Sequence, residues 1–448
     1  MRKPPKSRVK EFIAHPRRSL FKLAMPIVLA MVVQIMYNIV DTAFVGRLGA
    51  ESIAALTFAF PVFFMLIAIS GGVGIGMGSR ISRCLGAKQK KGAENAAMHG
   101  ILLALGISLS VFVLGLGFIR PLFSLFGATD TVLELSIGYM SIILFGVVFM
   151  ALSFVMNNFF SSQGDTKTPM KVQISALLLN IVLDPIFIYV LGFGVRGAAI
   201  ATVIAMAFSV LLFVYFIRVK SYLCVGLSCF RYSWGVLKDI IKIGSSAMVM
   251  LLLMAFSIMV INWFMAQFGT DYVASFGIAA RLRSFAVMPM VAFSTATLTL
   301  VGMFYGAKRY DLVNEMVRYS IKVAILFTSG VGVVFFVIPG LLVRIFTPDA
   351  TLIGLAASYM RIELFSYPFM AVSMVIVRSM QGMGFGLPGV VVNFLRMIVI
   401  ALPLAYLFVF VMGYGFLSIA VALLIAAVVS AGVAVVWMAL KSRRFSSS

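Results

Sequence analysis

Acidic side chains are rare in this sequence. Fourteen Asp and Glu stand against 36 Lys and Arg in 448 residues, and charged residues of both signs make up only 11%. So little charge excludes a water-soluble globular domain. Cysteine is nearly absent too: Cys84, Cys224 and Cys229 are the only three, and all fall in segments read as cytoplasmic, where thiols stay reduced, so no disulfide is expected. The two histidines, His15 and His99, lie far in sequence from Cys224 and Cys229, which leaves no zinc-ligand spacing. Without paired histidines, a metal motif or a nucleophile constellation, neither an enzyme nor a bound cofactor is expected.

The net charge of +22 would suit nucleic acid, but its distribution points elsewhere. Lys and Arg crowd the N-terminal segment and every second loop, whereas the intervening loops hold only Arg47, Arg120, Arg196 and Arg344. This is the positive-inside bias, with both termini cytoplasmic at the cell membrane and no nucleic-acid partner.

What the chain has in abundance is apolar length. Hydrophobic residues make up 62%, in uninterrupted runs of about 20 residues, the length that carries a helix across a bilayer. Backbone groups in lipid must pair within the segment, so such runs select helices, while a barrel would show short alternating segments. Twelve spans are predicted, near 19–44, 52–79, 96–119, 131–158, 170–191, 195–217, 236–267, 272–302, 316–339, 351–379, 388–411 and 416–440. The first is too long for a signal-peptide core and has no small-residue cleavage site after it, so it is expected to stay as an anchor.

The second half of the chain repeats the first at an offset near 220 residues. FVGRLGAESIAAL (44–56) aligns with FMAQFGTDYVASF (264–276), LGAKQKKGAEN (85–95) with YGAKRYDLVNE (305–315), and LFSLFGATDTVLELSIGYM (122–140) with LVRIFTPDATLIGLAASYM (342–360). Each half carries six spans, an even number, so both enter from the same side and form parallel repeats, a common layout for carriers that work by alternating access. The predicted organisation is an interfacial N-terminal segment (1–18) attracted by anionic headgroups, an N-terminal lobe (19–217), a cytoplasmic linker (218–235), a C-terminal lobe (236–440) and a short tail (441–448).

Two carboxylates stand inside otherwise apolar spans: Asp41 in the first and Asp184 in the fifth. An acid at mid-bilayer costs about 2.5–3.5 kcal/mol on insertion scales, so each is a candidate functional site. Gln34, Tyr37 and Asp41 share one helical face, as do Asn180 and Asp184. Asn157, Asn158, Ser153 and Thr202 supply further polar groups in the same lobe. Oxygen ligands from Asp41, Asp184, Asn180 and Thr202 suit a hard cation, and the alternative is a polar cluster that serves helix packing alone. The repeat acts as a control: Asp41 corresponds to Ile261, Pro26 to Ser246, Asp184 to Leu402 and Asn180 to Ile398, so the fold does not require the acids.

Other features bear weaker readings. Pro26 either bends the first helix or starts it. Glu363, flanked by Tyr359 and Tyr367, is a deep acid of the second lobe, for which Arg361 or Arg396 would serve as an ion-pair partner. GGVGIGMGS (71–79) lies in an apolar span without a phosphate-loop lysine, and close helix packing or a flexible span end accounts for it.

Two lobes of six spans, the pattern of Pro26, Tyr37, Asp41 and Gly46 to Gly49 on the first span, and N-x3-D-P on the fifth resemble the multidrug and toxic compound extrusion family, nearest its prokaryotic DNA-damage-inducible-type branch with archaeal members. The resemblance implies a V-shaped, monomeric all-helical carrier in the cell membrane that exports amphiphilic, often cationic small molecules in exchange for H⁺ or Na⁺. It assigns Asp41, Asn180, Asp184 and Thr202 to the cation site, a metal site only if the ion is Na⁺. It assigns Gln34, Tyr37 and Asn157, with the two acids, to the substrate cavity, and Pro26 to helix bending. A lipid or lipid-linked oligosaccharide flippase of the same superfamily is the alternative. A major-facilitator carrier is disfavoured because SRISRCLGAKQKKG, between the second and third spans, holds no acid.

Overall fold

Each predicted span is a helix. The computed structural model describes residues 8–125, 127 and 130–446, with the side chains of residues 38, 39, 41–43, 50, 53, 130 and 443–446 outside the description. A short α1 (Val9–Ala14) precedes α2 (Pro16–Gly46), α3 (Ala50–Gly86), α4 (Lys90–Leu125), α5 (Asp130–Ser162), α6 (Lys167–Pro185) and α7 (Gly194–Lys220). The second half runs through α8 (Trp234–Ala266), α9 (Thr270–Gly306), α10 (Tyr310–Val337), the short α11 (Pro339–Arg344), α12 (Ala350–Glu363), α13 (Tyr367–Met383), α14 (Leu387–Phe394), α15 (Leu402–Tyr406) and α16 (Leu417–Ser446). Among the described residues, twelve helical segments are long and apolar enough to cross a membrane, which makes this an all-α, multi-pass membrane protein. Among the described residues there is no strand.

The repeat is written into the backbone. Gly49 and Gly269, 220 residues apart, both take positive φ (104° and 125°) before α3 and α9, a turn that favours glycine. Lys88 and Lys308, at the same spacing, both enter the left-handed region at φ 59° and 58°, where residues other than glycine are uncommon. Two π-helical segments, Ile186–Val190 and Leu407–Val411, match at 221 residues, as do Gly192 (φ 70°) and Gly413 (φ 67°). That register sets Asp184 opposite Ala405 rather than Leu402, because the additional π-helical segment Leu395–Ala401 shifts the second lobe; the replacement is apolar either way.

Two compact units result. The first holds residues through Lys10 and Met25–Met248, the second Glu11–Ala24 and Val249–Ser448. The core of the first is built by Val62, Leu66, Phe123, Met140, Leu144 and Met150 of α3, α4 and α5. In the second, Phe276, Met290, Val343, Tyr359, Tyr367 and Ile419 lead a larger cluster. The chain changes unit between Ala24 and Met25, beside Pro26. That proline sits ten residues into a continuous helix and is buried, so it is not a first-turn residue: its missing N–H leaves the Lys22 carbonyl without its usual intrahelical donor.

The glycines of α3 make close packing possible. A Cβ on Gly76 would stand 2.2 Å from the Ile240 carbonyl oxygen of α8, and one on Gly72 2.6 Å from the Gly244 oxygen. Beyond this seam Asp239 accepts from Arg83 at 2.6 Å and Arg80 at 3.2 Å. In the second unit the corresponding stripe of α9 carries Ala292 and Ala296, both buried. There Phe21 of α2 meets Phe293 edge-on at 5.5 Å.

The N-terminal segment differs from a purely interfacial anchor. Val9 and Phe12 of α1 are buried within the protein, and Arg8 donates to the Gly164 carbonyl at 2.9 Å.

Candidate functional site

Helix α6 carries the polar stripe of the first unit because Gln173, Asn180 and Asp184 interrupt an otherwise apolar surface at helical spacing. Asp184 is 0% and Asn180 3% exposed. The Asn180 side-chain amide donates from Nδ2 to Asp184 Oδ1 at 2.9 Å, and the Tyr37 hydroxyl of α2 donates to Asn180 Oδ1. A chain of hydrogen bonds therefore runs from the first span to the buried carboxylate. Further along, Gln173 Nε2 donates to Gln34 Oε1 at 3.1 Å. The structure thus joins Gln34 and Tyr37 of α2 to α6. Asp41 lies on α2 one turn beyond Tyr37, but its side chain falls outside the described residues.

Thr202 lies on α7, the helix that follows α6. Gly197 of that helix lies against the Phe187 carbonyl, Ala198 shares a core with Ile188, and Thr202 follows one turn on from Ala198. Its hydroxyl donates to the Ala198 carbonyl at 2.9 Å, which leaves the oxygen lone pairs as acceptors only. Asp184 lies at the junction of α6 with the π-helical segment Ile186–Val190, next to Pro185. Such interruptions loosen the regular ladder and are frequent at functional sites.

Other polar residues of this lobe are committed elsewhere. Asn158 donates to the Phe154 carbonyl at 2.9 Å and fills the space left by Gly74 and Gly78 of α3, so it serves packing. Ser153 pairs with Ser209 of α7 at 2.6 Å. Asn157 is half-buried on α5.

Sequence reasoning missed two groups. At the start of α4, Glu94 accepts from the Cys224 N–H at 2.9 Å, Asn95 from the Arg231 N–H at 2.9 Å and His99 Nε2 from the Ser233 N–H at 3.1 Å. Three neighbouring side chains of one helix thereby fix the linker, and polar residues at the head of an apolar span were the available signal. Cys224 also stands beside Cys229, and that contact raises its thiol above the ordinary cysteine value.

The second group corrects an expectation. Glu363 of α12, 3% exposed, is ion-paired with Arg283 of α9, not with Arg361 or Arg396. Arg361 is two positions away on the same helix and exposed, so it points from another face, whereas α9 packs directly on α12. Arg396 lies within range of the Arg283 charge. Glu363 Oε2, Arg396 Nε and the Tyr359 hydroxyl are buried without a hydrogen-bond partner among the described residues. Leaving such an atom unsatisfied costs about 1–3 kcal/mol.

Among the described residues no group of three His, Cys, Asp or Glu is placed to hold a metal ion. A hard cation in the first unit would instead draw on the Asp184 carboxylate with the Asn180 and Thr202 oxygens. These are oxygen donors of the right chemistry.

Comparison with known proteins agrees with this architecture. The MatE family profile matches residues 26–186 and again 246–407, once in each repeat. The "FAD transporter" of Shewanella oneidensis is 27% identical over 400 residues, 87% of each chain. "Multidrug export protein MepA" of Staphylococcus aureus is 25% identical over 371 residues, 82% of each chain. A structure described as an outward-facing multidrug resistance MATE family transporter superposes with a TM-score of 0.95 at 29% identity, covering 99% of both chains. Proteins of this family are transporters rather than enzymes. With both repeats matched and the fold shared along its whole length, the chain belongs to the MatE family of membrane transporters.

Proposed function

We propose that the protein exports amphiphilic, predominantly cationic small molecules from the cell in exchange for H⁺ or Na⁺, with Asp41 and Asp184 as the coupling acids. The observation that carries this reading is the fully buried Asp184, held by Asn180 and through it by Tyr37 of the first span. An acid at that depth is costly unless protonation, a bound cation or a cationic substrate relieves it. Cation arrival changes the charge at α6, and Tyr37 transmits the change to α2. Pro26, with its gap in the helix ladder, lets α2 bend as the N-lobe cavity closes around Gln34, Tyr37 and Asn157 and expels its cargo. The coupling ion acts only through its different affinity for the two states. MepA is a multidrug export protein and the outward-facing structure is that of a multidrug resistance transporter, which supports the substrate class. On this reading the protein works as a monomer in the cell membrane, among its lipids, with both termini cytoplasmic.

Dye efflux from proteoliposomes under separately imposed pH and Na⁺ gradients tests the proposal. One gradient is expected to drive export in the wild type and to fail in Asp41→Asn and Asp184→Asn. Full gradient-driven efflux by Asp41→Asn would refute the mechanism, and transport driven by neither gradient would favour the flippase alternative.

A further inference from the structure

We propose that Arg283 and Arg396 form a binding site for an anionic group, a carboxylate or phosphate, inside the C-terminal lobe, with Glu363 as its internal stand-in. The Arg283 guanidinium is paired with Glu363, and Arg396, within range of the Arg283 charge, has no acid of its own. The other acids described in this lobe, Asp271, Asp311, Glu315 and Asp349, lie at or near helix starts, so the cluster holds one positive charge in excess. One monoanion would neutralise it.

The unused polar atoms point the same way. Tyr359 is 1% exposed and, with Glu363 Oε2 and Arg396 Nε, has no hydrogen-bond partner among the described residues, while Tyr367, also 1% exposed, turns its hydroxyl toward Glu363. Tyrosine hydroxyls and a guanidinium N–H are donors suited to an anion's oxygens. Arg283 keeps 19% of its side chain accessible and Arg396 is partly exposed, so neither is sealed off.

Helix irregularity marks the same residues. Glu363 ends α12 where the chain passes into a 3-10 turn at Leu364–Ser366, and Arg396 lies inside the π-helical segment Leu395–Ala401. Nor does the fold require the charges. At the repeat offset Arg283 corresponds to Phe63 and Glu363 to Ile143, both part of the apolar core of the first unit. A buried ion pair retained where the twin lobe packs hydrocarbon points to a ligand rather than to stability.

This inference rests on the protein being a small-molecule transporter but not on cation coupling, so its test uses no gradient. Purified full-length protein in phosphatidylcholine nanodiscs is titrated with 11-(dansylamino)undecanoic acid and, separately, with its methyl ester. The acid is expected to bind at least about tenfold tighter than the ester, the equivalent of one good charge-assisted contact. Arg396→Gln and Arg283→Gln should bring that ratio close to one, Arg396→Lys should retain part of it, and Glu363→Gln, which frees Arg283, should raise it. Ester binding reports that each variant is folded; if Arg283→Gln does not fold, Arg396→Gln and Glu363→Gln carry the test. Repeating the titration with phosphatidylglycerol in the disc separates the sources: competition with the probe identifies a lipid headgroup as occupant, and its absence identifies soluble cargo. Equal binding of acid and ester by the wild type, or a ratio unchanged in Arg396→Gln, would overturn the proposal.

Discussion

The two lobes share a backbone down to paired left-handed lysines, Lys88 and Lys308, yet bury opposite chemistry. In the first, an acid is held by neutral partners, Asn180 and Tyr37. In the second, an acid is held by a cation, with a second cation nearby. Each position is apolar in the other lobe: Ile261 replaces Asp41, while Phe63 and Ile143 replace Arg283 and Glu363. A fold that closes equally well around hydrocarbon or charge at matched sites does not dictate the charge. The difference teaches that packing is common property of the repeats and ionisable chemistry is private to each.

That comparison can be broken most forcefully in the second lobe. Glu363→Ala strands Arg283 in the interior and is expected to cost about 3–5 kcal/mol, read by thermal or denaturant unfolding of the purified protein. Copying the twin lobe with Arg283→Phe and Glu363→Ile together should restore most of that loss; if the double variant is no better than the single, the lobes are not interchangeable at this site. The first lobe should respond in the opposite way. Asp184→Asn is expected to leave stability nearly unchanged while lowering gradient-driven efflux about 5- to 150-fold, the range of a coupling energy of about 1–3 kcal/mol. Destabilisation with intact efflux would reverse the roles assigned to the two acids.

Smaller effects sharpen the picture. Gly76→Ala sets a methyl 2.2 Å from the Ile240 carbonyl and should destabilise by about 1–3 kcal/mol through overpacking. Gly46→Ala, with nothing within 4 Å of the added carbon, serves as its control in the same melting experiment. The smallest change expected is that of Ser153→Ala, which removes one hydrogen bond to Ser209 and should cost no more than about 1.5 kcal/mol.

Most of the fold was legible in the sequence because lipid leaves few options: apolar runs must be helices, and the repeat fixed their grouping. The stripe of Gln34 and Tyr37 on α2 and that of Asn180 and Asp184 on α6 were each legible too, since helical spacing alone puts such residues on one face. What escaped was anything decided between helices. Arg361 is near Glu363 in sequence, but Arg283 is near it in space, and only the packing of α9 on α12 selects between them. The clamp of Glu94, Asn95 and His99 on the linker was invisible for the same reason, because its partners are backbone N–H groups that carry no residue identity. The register of the second lobe was misjudged near Leu402 because a π-helical turn adds residues without changing the hydropathy pattern.

The exchange of short segments between the units, residues 11–24 joining the second and 234–248 the first, has a consequence for ancestry. If the repeats descend from a single six-helix chain that paired with its own copy, each copy would have lent the opening turns of its first helix to the other, as in a domain-swapped dimer. Fusion made that loan internal. Separating the halves at the linker would therefore yield two fragments that each lack a piece held by the other, so neither should fold alone and co-expression should rescue both.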